Sequence, residues 1–109
     1  MRSIDWRATT QMVGLDGALW MVVDGGLYKV DKTGKWTEIG DEDWRGTTHM
    51  VGLDGALWMI AGSGLYKVEK TGKWAEIGDD DWRGVTLMTG LDGSLWAIDG
   101  GTLYRVSTK

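Results

Sequence analysis

The chain predicts an all-β fold, a β-propeller built from three four-stranded blades. Three observations carry this. A 38-residue unit repeats without insertion, setting Trp6, Trp44 and Trp82 in equivalent places, with Gly17, Gly55, Gly93 and Tyr28, Tyr66, Tyr104 at the same step. A fixed period in this range marks a repeat architecture in which no single unit buries its own faces. The second strand of each unit, "ALWMIA" in the middle copy, is apolar on both faces. A sheet with such a strand must lie between two others. Finally, the 18 Gly among 109 residues far exceed the usual share of about 7%. They interrupt the chain too often for helices and demand frequent turns.

Each unit resolves into four strands, read here on the second copy. "TTHMVG" is β-branched and apolar, a first strand. "LDG" is a tight-turn signal. In the second strand, alternation sends Leu57 and Met59 to one face and Trp58 and Ile60 to the other. "GSG" turns the chain into "LYKVE", a loosely alternating third strand, and "KTGK" turns it into "WAEI", a fourth with one wet face. The acidic stretch "GDDDWRG" leads into the next copy. Four-stranded sheets of this kind stack around an axis as propeller blades. A β-trefoil also has three repeats of similar length and is the competing architecture.

The repeats run over residues 6–43, 44–81 and 82–109, and the first two differ at nine of 38 positions. Such near-identity marks a recently amplified or an engineered repeat. Propellers use about four to eight blades, and an open stack of three leaves two apolar sheet faces in water. Homodimerisation to six blades is therefore expected. The third copy ends in "LYRVSTK", without the fourth strand. At the other end, residues 1–4, "MRSI", align with "WAEI", with Met1 in the place of Trp74 and Ile4 in that of Ile77. They are a candidate closing strand for a partner's third blade. The competing reading is a frayed terminus.

Composition excludes several functions. A net charge of −4 argues against nucleic acid, whose binding needs a Lys/Arg surplus. No apolar run approaches the ~20 residues of a membrane span, and the opening "MRSIDWRATT" has no apolar signal-peptide core. These features leave the compartment open. With no Cys there is no disulfide framework or thiolate metal site. The single His49 is replaced by Gln11 and Leu87 in the other copies, which reads as tolerated variation rather than catalysis. Asp16, Asp54 and Asp92 sit inside "LDG" as turn formers. The acidic loops at 41–44 and 79–82 are the best metal candidates, but they lack a Ca²⁺-loop pattern and read as solvated. No enzyme activity, cofactor or metal is expected.

One pattern points to a ligand. Trp6–Arg7, Trp44–Arg45 and Trp82–Arg83 recur in the loop that enters each first strand, with Asp43 and Asp81 just before the second and third pairs. An aromatic face beside guanidinium and carboxylate groups suits a sugar, whose C–H face stacks while its hydroxyls bond the polar groups. The competing reading makes each Trp a wedge between blades and pairs each Arg with a neighbouring Asp. Trp20, Trp58 and Trp96 lie mid-strand and belong to the core.

The runs "WTEIGDEDWRG", "LDGALWMI" and "GLYKV", with their copies, are similar to the repeats of the tachylectin and tectonin group of propeller lectins. The resemblance covers nearly the whole chain. It implies multivalent carbohydrate binding, often of N-acetylated sugars, in shallow sites repeated between blades. The chain departs from the group in having only three, shorter repeats, so contacts made there by longer loops are in question. An engineered or structural self-assembling propeller without a ligand is the alternative function.

Overall fold

The computed structural model describes residues 6–107. After a single 3-10 turn at Trp6–Ala8, eleven strands follow: β1 (Thr9–Leu15), β2 (Ala18–Val23), β3 (Gly26–Val30), β4 (Trp36–Glu38), β5 (Thr47–Leu53), β6 (Ala56–Ala61), β7 (Gly64–Val68), β8 (Trp74–Glu76), β9 (Val85–Leu91), β10 (Ser94–Asp99) and β11 (Thr102–Ser107). They form three antiparallel sheets in simple sequence order: β1 to β4, β5 to β8, and β9 to β11. The third blade has three strands rather than the four expected of a full blade, and among the described residues nothing pairs with the outer edge of β11. The proposed closing strand, residues 1–4, lies outside the described residues. The arc is 47 Å long, and closure to six blades is not part of it.

The turns follow from the residues that make them. Asp16, Asp54 and Asp92 hold φ of 51–52°, and Gly17, Gly55 and Gly93 hold φ of 76–78°. Two successive positive-φ residues match the right-handed strand twist, so Asp-Gly closes each first hairpin. At the hub the first strands of neighbouring blades converge. A Cβ on Gly52 would stand 3.0 Å from the Gly14 carbonyl oxygen and 3.2 Å from the Leu15 side chain, so glycine sets that approach.

Period-two alternation decides the core. Leu15, Trp20, Val22 and Leu27 of blade 1 pack against Leu57, Met59 and Val68 of blade 2. The opposite face of blade 2, with Trp58, Ile60 and Leu65, packs against Leu95, Ala97 and Val85 of blade 3. Each interior joint thus joins the trailing face of one blade to the leading face of the next. Trp20 and Trp58 are buried as expected, and Lys29 and Lys67 lie over them with Nζ 5.7 and 5.6 Å from the ring centroids. Trp96, on the outer face of blade 3, is only half-buried.

Position 11/49/87 gains a role that composition did not suggest. Gln11 Nε2 donates to the Thr48 carbonyl at 3.0 Å, and His49 Nε2 lies 3.1 Å from the Thr86 carbonyl oxygen. Both side chains bridge first strands of adjacent blades. Leu87, at the end of the arc, stands exposed.

Candidate functional site

The loops carrying the Trp-Arg pairs run from the outer strand of one blade to the hub strand of the next. They share a face with the turns between second and third strands: Trp44 N–H donates to Gly25 O at 2.8 Å, and Trp82 N–H donates to Ser63 O at 2.9 Å. This is the face on which the sequence places the candidate site.

The Arg and Asp of each pair meet. Asp43 Oδ1 accepts the Arg45 backbone N–H at 3.0 Å and its Nε–H at 3.2 Å. Asp81 repeats this with Arg83 and adds a 2.7 Å bond from Nη2 to Oδ2. The side-chain hydrogen bond from Arg83, helped by the backbone N–H, holds the Asp81 carboxyl down at about 2. The Arg45 side chain lowers Asp43 in the same way. All four side chains are largely exposed. Arg7 is likewise exposed in the opening 3-10 turn.

Each Trp, in contrast, turns into the fold. Trp44 is 4% exposed. Its ring meets Tyr66 edge-on at 5.8 Å and Trp74 at 6.2 Å, and those two meet each other at 5.5 Å. The Trp44 ring is thus packed between two aromatic edges rather than laid open on the surface. Trp6 meets Tyr28 at 6.1 Å, and Tyr28 meets Trp36 at 5.6 Å, completing the same cluster in blade 1. The strand register builds these clusters. Tyr28 and Glu38 are opposed, as are Val30 and Trp36, with the same pairing in blade 2.

Among the described residues blade 3 shows no third member of this cluster, and a cleft stands there. It has a volume of about 530 Å³ and is walled by Asp80, Asp81, Trp82, Asp99, Tyr104 and Arg105. The equivalent space in blade 2, walled by Glu42, Asp43, Trp44, Ala61, Tyr66 and also Trp74, is about 110 Å³. Trp82 is partly open to the cleft, yet its Nε1 is buried without an acceptor among the described residues. Tyr104 is half exposed. Of the site residues read from the sequence, the cleft gathers Trp82 and Asp81. Asp99, Tyr104 and Arg105 were missed. They lie one or two strands away, and only the hairpin register brings them to the Trp.

The acidic loops at 41–44 and 79–82 do not converge as a metal site; no such cluster occurs among the described residues. No helix among them is long and apolar enough to cross a membrane.

No protein-family model matches the chain, and no curated protein sequence matches it. Solved structures do. A catalytically inactive virginiamycin B lyase from Staphylococcus aureus, with quinupristin, superposes with a TM-score of 0.70 at 19% identity, over 93% of this chain and 38% of the lyase. The selenomethionine form of the same lyase gives 0.69 at 21% identity. The extracellular domain of BT4673 from B. thetaiotaomicron, a putative one-component system, gives 0.65 at 18% identity over 93% of this chain and 15% of that protein. The chain thus spans well under half the length of these neighbours. At such identity the likeness is one of fold, and the fold is β-propeller-like.

Proposed function

We propose that the chain is a self-assembling arc of a β-propeller, whose trailing face on blade 3 docks on the leading face of blade 1 in a second copy to make a six-bladed ring. One observation carries this. Leu27, Leu65 and Leu103 are repeat equivalents on the trailing faces; the first two are 1% and 0% exposed at the interior joints, whereas Leu103 is 63% exposed. Leu87 and Leu91 stand beside it, equally open. The leading face of blade 1 offers Leu19 and Met12, both exposed, around a cluster of Met21, Val23 and Val30. These are the equivalents of the residues that blade 2 presents to blade 1. The same chemistry that seals two joints is therefore present on both ends of the arc. Light scattering on a size-exclusion peak tests the reading: twice the 12.0 kDa of one chain is expected, and Ile98→Lys, on the outer face of blade 3, returns the mass to that of one chain. A single-chain mass for the parent protein at 100 micromolar overturns it.

A second reading makes the assembled disc a carbohydrate binder. It is favoured by the recurrence of the exposed Arg45–Asp43 and Arg83–Asp81 pairs in one geometry on one face, and by the resemblance to tachylectin and tectonin repeats. With Trp44 enclosed, hydroxyl and acetamido recognition falls mainly to the Arg and Asp groups. Single sites then bind weakly, on the order of millimolar, and gain through multivalency. A glycan array tests it: a hit lost on Arg45→Ala with Arg83→Ala supports the reading, and a blank array leaves the ring without a ligand. The lyase's chemistry forms no part of either reading.

A further inference from the structure

We infer that the cleft and free edge of blade 3 accept residues 1–4 of a second copy as the blade's fourth strand, with Ser3 opposite Tyr104 and the Ile4 backbone N–H on the Leu103 carbonyl. The inference rests on the ring reading above.

Blades 1 and 2 show what the edge takes. In both, the fourth strand pairs with the third through a Tyr–Glu and a Val–Trp couple. The ladder continues as Ile39 N–H and Ile77 N–H donate to Leu27 O and Leu65 O, each at 2.8 Å. In blade 2 the Trp of that strand lines the equivalent space, of which about 110 Å³ stays open against about 530 Å³ in blade 3.

The third blade is not a plain copy of the other two, and the difference selects the occupant. Gly26 and Gly64 open the third strands of blades 1 and 2. A Cβ on Gly26 would meet the Tyr28 ring at 2.9 Å and Glu38 Oε2 at 3.1 Å; on Gly64 it would meet Glu76 Oε2 at 2.9 Å and Tyr66 at 3.0 Å. The equivalent residue in blade 3 is Thr102. By repeat equivalence, its Cβ would crowd a Glu carboxylate placed as in the other blades. A strand with a small residue there is accepted and one with Glu is disfavoured. The segment Met1-Arg2-Ser3-Ile4 has an unbranched apolar residue in the Trp place, Ser in the Glu place and Ile in the Ile place.

The link to the next blade also fits. Trp44 N–H and Ile39 N–H reach carbonyls only two residues apart, Gly25 and Leu27, and Trp82 and Ile77 do the same on Ser63 and Leu65. The five-residue step between those donors therefore bulges outward, and a two-residue step spans the same gap by continuing the ladder. Ile4 and Trp6 are two residues apart. The strand cannot come from the same copy. Trp6, only two residues from the end of that segment, is held on Tyr28 of blade 1, whereas blade 3 is two sheet spacings away, about 20 Å, more than two residues of chain can span.

The test uses the full chain, which has no Cys. Ser3→Cys combined with Tyr104→Cys places two thiols at opposed antiparallel positions, about 4.5–5.5 Å apart between Cα atoms and within disulfide reach. Mild oxidation is expected to give a covalent dimer that neither single variant gives. In parallel, Ser3→Glu should weaken the dimer at least tenfold by light scattering across a dilution series, and adding Thr102→Gly should restore most of that loss. A dimer that persists unchanged in Ser3→Glu, without the covalent product, overturns the strand and leaves the ring standing. A parent chain that stays single overturns the ring and the strand with it.

Discussion

Substituting one leucine at its three repeat positions measures the open face directly. Leu27→Ala and Leu65→Ala remove side chains that are 1% and 0% exposed, in the joints between blades 1 and 2 and blades 2 and 3. Each should cost about 2–5 kcal/mol, the transfer term plus the cavity left behind. Leu103→Ala removes the same atoms from a site 63% exposed. In an isolated arc, with about a third of the burial, the loss is on the order of 1 kcal/mol or less. In a closed ring Leu103 enters a joint like the other two and its loss rises to their range. At about 1.4 kcal/mol per tenfold, dimer affinity then falls by at least tenfold. Urea unfolding followed by circular dichroism, repeated from low to high micromolar protein, separates the cases. The Leu103 cost should climb with concentration towards the Leu27 and Leu65 costs, which should be large already at the lowest concentration. A Leu103 cost that stays small and flat refutes the shared-joint reasoning, and a cost below about 1 kcal/mol at Leu27 and Leu65 refutes the packing itself.

Trp44→Ala breaks the aromatic cluster with Tyr66 and Trp74 and should destabilise the chain by about 3–5 kcal/mol, read as a lower urea midpoint; a change confined to ligand binding would return Trp44 to the surface. Asp81→Asn removes a carboxylate whose folded pKa lies at about 2, below its ordinary 3.8. A depressed carboxylate stabilises above the ordinary value and loses that contribution as pH falls through the lowered one. The variant should melt slightly below the parent near neutral pH, and the gap should close as pH falls from about 4 to about 2 in a thermal scan. Lys70→Ala releases the exposed 2.6 Å pair with Asp16 and should shift stability by no more than about 1 kcal/mol, less in high salt.

The blade was legible because its second strands obey period two. Leu57 and Met59 do face blade 1 while Trp58 and Ile60 face blade 3, since a strand has no third side to offer. The Asp-Gly turns were equally plain from their φ requirement. The site was legible only in its local part. Asp43 and Arg45 are two residues apart and meet within the loop. Trp44 lies between them in sequence, but its surroundings are Tyr66, twenty-two residues on, and Trp74, thirty residues on. Which way such a ring turns depends on how the next blade folds back beneath the loop, and no local pattern encodes that. The bridging role of Gln11 and His49 was hidden for the same reason, because the acceptor belongs to the neighbouring blade.

The close approach at Gly52 reaches beyond one joint. A head-to-tail contact has no two-fold axis to stop it: copies add until the accumulated rotation returns to its start, and otherwise they climb into an open filament. The angular step at each joint therefore decides whether the product is a disc or a fibre. At the hub of the joint between blades 1 and 2 the tightest approach is the 3.0 Å between a Cβ-to-be on Gly52 and the Gly14 carbonyl. One methyl group there would push β1 and β5 apart, so blade 2 would turn through a different angle against blade 1. In the proposed assembly, Gly52→Ala should therefore change the pitch, read as a change in mass by light scattering.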